Sequence, residues 1–198
     1  MKAGGLDVNR RNCTDLIKHL SAMGTADTLA AIIAVLQRME QASSSSMHPD
    51  ARPLTLALCA VERTVVSDPA VTKRYRQGIL KMMKKHDQPL HATWKFKRLI
   101  TSCLKNPSKS GVSQAMVYYD MFLKLSSRYG HLRGGQIDVL FTLLDGLRLR
   151  CEWELADRVA KDIREGTAWH VTMTLSIEEL FRLVDNRDST NVDVLPIS

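Results

Sequence analysis

The stretch from Ile137 to Glu165, IDVLFTLLDGLRLRCEWELADRVAKDIRE, limits the possible folds more than any other part of the chain. Its first half places Ile137, Leu140, Phe141, Leu144 and Leu147 at the i, i+3, i+4, i+7 spacing of one apolar helix face. After a break at Arg150, Cys151 and Glu152, a second stripe follows, formed by Leu155, Ala156, Val159, Ala160 and Ile163, with charged residues on the opposite side. So short a link makes the two helices antiparallel. One such hairpin leaves much of its apolar surface bare, so the chain needs further hairpins to cover it.

The same alternation occurs upstream. Residues 10–23 predict a helix with Cys13, Leu16, Ile17 and Leu20 on one face, ended by Gly24. Thr25 or Asp27 caps the next, whose stripe is Leu29, Ile32, Ile33, Leu36 and Met39. Gln41 to Ser46 is too polar to pack and reads as a loop, closed by the turn signal His48-Pro49-Asp50. Leu54, Leu58, Val61 and Val65 predict a helix over 51–66. Ser67-Asp68-Pro69 then starts another, which runs to about Lys85 with Tyr75, Ile79, Met82 and Met83 inward. Residues 92–105 repeat the first-helix pattern with Phe96, Leu99, Ile100, Cys103 and Leu104 inward. A breaker-rich loop over 106–111 and a helix over 114–127 follow, the helix packing through Ala115, Tyr118, Tyr119, Phe122 and Leu125. A last helix is expected over 176–184. Superposing the first-helix segments aligns Leu16, Ala57, Leu99, Leu143 and Leu180, at steps of 41, 42, 44 and 37 residues. Self-similarity at such a period marks a helical array in which each hairpin covers its neighbour.

The run TLLDGL, a turn, then ELADRVAKDI resembles the pentatricopeptide repeat, a helix-turn-helix unit of organellar RNA-binding proteins. The resemblance extends over about residues 10–185, strongest in the last full hairpin, with loops accounting for the excess over the family's repeat of roughly 35 residues. It implies an all-α fold, a right-handed α-solenoid of about four antiparallel hairpins plus a terminal helix. Residues 1–9 would form an N-terminal extension, 10–185 the helical-repeat domain and 186–198 a flexible tail. The family reads one RNA base with a residue early in the first helix and one that closes the repeat. The early position matches Thr14, Thr55, Lys97 and Phe141, and the closing position matches Asp50, Ala92 and Gln136. Thr14 with Asp50 resembles a purine-reading pair, whereas Lys97 and Phe141 depart from the pattern. For Thr14, Asp50 and Thr55, capping and turn formation are the better reading from the residues themselves.

Charge placement gives an independent signal. The chain carries +7 overall, but between Lys73 and Lys109 eleven Lys and Arg face the single acid Asp87, leaving 17 basic against 20 acidic residues elsewhere. A cationic block in an otherwise slightly acidic chain points to a polyanion. Within it, Trp94, Lys97, Arg98, Thr101 and Lys105 share the helix face opposite Phe96 and Leu99, and Arg74, Lys81 and Lys85 form a second basic stripe. An aromatic ring among cations can stack a base and hold phosphates of a single strand. A solvated face is the better reading for an isolated charged stripe, and Trp94 alone fits hairpin packing equally well.

Cys13, Cys59, Cys103 and Cys151 lie more than forty residues apart without a Cys-x-x-Cys pair, which argues against zinc and for free thiols. No phosphate loop, H-E-x-x-H or G-x-S-x-G occurs, so neither catalysis, a cofactor, a metal nor a small-molecule substrate is expected. No apolar run is long enough for a membrane span, and a soluble chain is expected. The resemblance thus implies a non-catalytic RNA-binding scaffold of a mitochondrial ribonucleoprotein, either the mitoribosome or an RNA-processing or editing complex. It would hold single-stranded or ribosomal RNA together with protein subunits. The alternative is a tetratricopeptide- or HEAT-like protein scaffold that binds no RNA.

Overall fold

The computed structural model describes residues 9–66, 68–90, 92–129 and 136–165, together with Arg182. Eight α-helices occur among them: α1 (Arg10–Met23), α2 (Ala26–Glu40), α3 (Ala51–Arg63), α4 (Pro69–Lys85), α5 (Thr93–Lys105), α6 (Lys109–Tyr129), α7 (Gln136–Leu149) and α8 (Trp153–Glu165). The fold is all-α, and no strand is present among the described residues. The tail at 186–198, the helix expected over 176–184 (Arg182 apart) and the extension before Asn9 lie outside the described residues.

Local chemistry sets the helix boundaries. The Asn9 side chain accepts from the Asn12 amide at 2.9 Å and caps α1, while Gly24, at φ +66°, ends it in the left-handed conformation that glycine adopts without a Cβ penalty. Thr25, not Asp27, caps α2, in a reciprocal capping box with Thr28. Asp50 and Asp68 cap α3 and α4, with Pro69 opening the latter. The polar stretch after α2 includes a 3-10 turn at Ser45–Met47.

Two boundaries differ from the sequence expectation. α3 stops at Arg63 because Thr64 turns to extended backbone while its hydroxyl donates to the Ala60 carbonyl at 2.8 Å. α6 begins at Lys109, earlier than expected, because the Asn106 side chain organises the turn: its Oδ1 accepts from both the amide and the hydroxyl of Ser108. That early start needs Gly111, where a Cβ would lie 2.5 Å from the Cys103 carbonyl oxygen and 2.9 Å from Asn106. Helix and hairpin turn therefore close directly on the end of α5.

Each odd helix packs on the even helix that follows it, and the odd helices pack in succession, α1 on α3, α3 on α5 and α5 on α7. None of the principal interfaces joins two even helices. α3 touches α1, α2, α4, α5 and α6, and Pro53 to Leu58 are all buried, as expected of a helix apolar on nearly every side. Ile17, Leu29, Leu58, Ile79, Phe96, Leu99, Tyr118, Tyr119, Phe122, Leu143 and Val159 belong to one continuous core. In the aligned register, Ala57, Leu99 and Leu143 are buried, but Leu16 is exposed and Ile17 takes the inward place. Phe141 is also turned outward, 39% exposed, whereas Val139, Leu140, Leu143 and Leu144 around it are buried. No helix among the described residues is long and apolar enough to cross a membrane.

Candidate nucleic-acid interface

The succession of odd helices leaves a groove of about 340 Å³ across α1, α3 and α5. Lys18, Ser21 and Ala22 line it from α1, Leu56, Cys59, Ala60 and Arg63 from α3, and Lys97, Arg98, Thr101, Ser102 and Lys105 from α5. The floor is small and neutral. Ser21 donates to the Ile17 carbonyl at 2.7 Å, and Thr101 donates to the Lys97 carbonyl at the same distance. Burial pushes the Cys59 thiol up, with the Ser102 hydroxyl and Arg98 opposing that shift only in part, so the floor carries no thiolate at neutral pH.

Five cations thus converge on one concavity. Lys97 bridges to Asp138 of α7 at 3.1 Å, an exposed pair of the kind worth roughly 0.2–1 kcal/mol and weakened by salt. Lys18, Arg63, Arg98 and Lys105 have no carboxylate partner among the described residues.

The structure sorts the sequence candidates into three groups. Lys97, Arg98, Thr101 and Lys105 come together in the groove. Trp94, which the sequence left between packing and stacking, is 44% exposed at the start of the same α5 stripe, with the Lys95 Nζ 5.8 Å from its ring centroid. Arg74, Lys81 and Lys85 lie on α4 and do not enter the groove: Arg74 stands over the Tyr75 ring at 5.7 Å, and Lys85 pairs with Glu40 at 2.7 Å. The cationic block is therefore divided between surfaces, and its Lys95 is buried, donating to the Pro89 carbonyl at 2.7 Å, with burial lowering its pKa. Of the residues matched to base reading, Thr14 and Thr55 are buried, and their hydroxyls donate to the carbonyls four residues back, Arg10 and Ala51. Asp50 is the α3 cap, 3.5 Å from Arg10. These three residues pack and cap.

Lys18 and Arg63 were missed because they lie outside the cationic block. The repeat register held the signal: Arg63 and Lys105 each stand six residues past the aligned Ala57 and Leu99, and Lys18 holds the place of Thr101. Also missed was Glu62, buried on the other side of α3. Its carboxylate accepts from Arg76 Nε at 2.6 Å, Arg76 Nη2 at 2.7 Å and the Tyr118 hydroxyl at 2.7 Å. Burial first, then the Glu62 charge, raises the Tyr118 pKa, so this hydroxyl stays a donor. Glu62 and Arg76 form part of the wall of a second cleft of about 410 Å³, bounded by the start of α4, the start of α6 and the exposed Val65 and Val117. With three donors on one carboxylate, the cluster reads as a tie between α3, α4 and α6.

No group of three or more His, Cys, Asp or Glu residues among those described is placed to hold a metal ion. All four cysteines are free thiols. No protein-family model, curated protein or solved structure matches the chain.

Proposed function

We propose that the chain is a non-catalytic helical-repeat protein of the pentatricopeptide kind, its four hairpins continuing one another as a right-handed α-solenoid. It holds single-stranded or ribosomal RNA on the odd-helix face and works inside a mitochondrial ribonucleoprotein, either the mitoribosome or an RNA-processing or editing complex. The observation that carries the reading is the groove across α1, α3 and α5, where five cations meet and a single exposed bridge offsets one of them. The successive packing of odd helices supports the solenoid, since hairpins that touch only their neighbours build such a stack. Exposed Trp94, one turn before Lys97 and Arg98 on α5, supplies a ring for stacking, and Phe141 on α7 is a second exposed ring. With Thr14 and Thr55 buried, the face holds the backbone rather than reading bases, and affinity for an isolated strand is modest.

Binding of a fluorescent single-stranded RNA, followed by anisotropy across a salt series, tests this. About 0.7 counterions are released per neutralised phosphate of a single strand, so full use of the five cations gives a log–log slope near −3.5. The double variant Lys97→Glu/Arg98→Glu is expected to reduce both affinity and slope. Binding that ignores salt, or survives this charge reversal in a folded protein, refutes the reading. The cleft beside Val65 and Val117 favours the protein-scaffold alternative. An assembly that stays intact after nuclease treatment but dissociates on Val65→Glu/Val117→Glu would select it.

A further inference from the structure

The charge on the odd-helix face is gathered at one place and does not run as a track. Around the groove stand Lys18, Arg63, Lys97, Arg98 and Lys105, drawn from three helices. On the next odd helix, α7, the exposed carboxylate is Asp138, and Asp145 follows two turns on, bridged to Arg148 at 2.9 Å. A strand extended along all the odd helices would leave the cations and meet acids, whereas a compact polyanion would meet a groove whose charged lining is cationic. Several cations elsewhere are answered by the protein's own carboxylates, Arg76 by Glu62, Lys85 by Glu40 and Arg158 by Asp120. At the groove only Lys97 is answered, by the exposed Asp138, and among the described residues the other four are not, so convergent like charges of this kind repel until an anion enters. The volume lies within the range of small-ligand sites, about 300–1,000 Å³.

We infer that the groove between α1, α3 and α5 is a pocket for closely spaced phosphates. That chemistry is shared by a free oligophosphate and by the 5′-triphosphate end of an RNA chain. Leu56 and Ala60 give the phosphates a floor with no opposing charge, and the protonated Cys59 thiol adds none. Arg63 and Arg98 present planar guanidinium forks suited to bidentate phosphate contact, while the three lysines act as point charges. The RNA-end form of the inference rests on the RNA reading above, and the free-oligophosphate form does not.

The test uses the full chain and four probes: inorganic tripolyphosphate, orthophosphate, and one RNA decamer made with a 5′-triphosphate or a 5′-hydroxyl. Tripolyphosphate is expected to bind about tenfold or more tighter than orthophosphate, since each added charge meets an unpaired cation. It should also displace the RNA. Arg63→Gln, Arg98→Gln and Lys105→Gln should each weaken tripolyphosphate by roughly tenfold, whereas Arg38→Gln on α2 leaves it unchanged. Arg98 and Lys105 are exposed, so these two neutral variants keep the test valid should Arg63→Gln disturb α3. A triphosphate decamer that binds more tightly than the hydroxyl decamer identifies the RNA end as the ligand. Equal decamers with tight tripolyphosphate identify the free oligophosphate. Tripolyphosphate no tighter than orthophosphate overturns the inference, even where the hydroxyl decamer binds and the RNA reading stands. Tripolyphosphate binding without binding of either RNA leaves the pocket in place and removes the RNA reading.

Discussion

Replacing Glu62 with alanine should be among the most damaging single changes in the protein, and the geometry sets its size. The residue is 3% exposed and its carboxylate accepts three hydrogen bonds, two from Arg76 and one from Tyr118, all between 2.6 and 2.7 Å. Truncation leaves a mostly buried guanidinium without its counter-charge, and breaking one side of a buried pair costs about 3–5 kcal/mol. The Arg76 side chain keeps 23% of its surface in water, which places the expected loss near the lower end, about 3 kcal/mol. For a chain of this length that corresponds to a fall in Tm of roughly 6–12 °C. Tyr118→Phe removes one bond to a charged acceptor and should cost about 1.5–3 kcal/mol. The double variant Glu62→Leu/Arg76→Met should return to within about 1 kcal/mol of the parent, because apolar replacement of a whole buried pair is often neutral. Urea unfolding followed by far-ultraviolet circular dichroism measures all three. A Glu62→Ala variant within about 1 kcal/mol of the parent, or a double variant whose loss equals the sum of its singles, refutes the tie.

A second tie, between the α7–α8 turn and the end of α5, makes a similar prediction. The Arg150 guanidinium donates to the carbonyls of Leu104, Asn106, Pro107 and Ser108, closing the exposed end of α5 from the α7–α8 turn, so Arg150→Ala should cost about 2–3 kcal/mol and speed amide exchange over 106–111. A third prediction concerns alkaline pH. Burial raises the pKa of Tyr118, Tyr119, Cys59 and Cys103, so above about pH 9 the folded state holds protons that the unfolded state has released, and stability falls as pH rises through this range. Lys95, lowered by burial, acts in the opposite direction, but it is one group against four. The urea midpoint should drop between about pH 9 and 11, and Tyr118→Phe with Cys103→Ala should flatten that drop. A midpoint that holds or rises refutes the assignment.

Helices were legible where a stripe and a cap agreed. Thr25 ahead of Leu29 and Ile32, and Asp68-Pro69 ahead of Ile79 and Met83, state locally both where a helix begins and which side it buries. The fate of the cations was not legible, because it is settled by residues far away in the chain. Lys85 finds Glu40 across 45 positions and Lys97 finds Asp138 across 41, and periodicity names a face without naming what stands opposite. Lys95 shows the same limit, since one step from Phe96 on α5 it reads as solvated charge yet lies under Pro89. Leu16 and Phe141 were assigned inward by spacing, but the spacing also suited Ile17 and Leu143. Only the position of the neighbouring helix decides between two apolar candidates, whether about 100° apart, as Leu16 and Ile17 are, or about 160°, as Phe141 and Leu143 are.

Glu62 and Arg63 draw the two halves of the structure together at a single step of α3. Consecutive helical residues point about 100° apart, so Glu62 turns to Arg76 and Tyr118 while Arg63 turns to the groove. A helix in contact with five others can carry a cation into a cluster of like charge because the residue before that cation anchors it to α4 and α6. The repulsion at the groove is opposed by packing and by the Glu62 tie, without a carboxylate in the groove lining that would also repel an incoming anion. A carboxylate in the groove would stabilise the free protein and weaken phosphate binding together. A carboxylate one residue earlier stabilises the fold and leaves the groove cationic. Neutralising Arg63 should therefore change phosphate affinity with little effect on the unfolding midpoint, and neutralising Glu62 should do the reverse. If both substitutions moved both quantities equally, α3 would not divide its charges between fold and site.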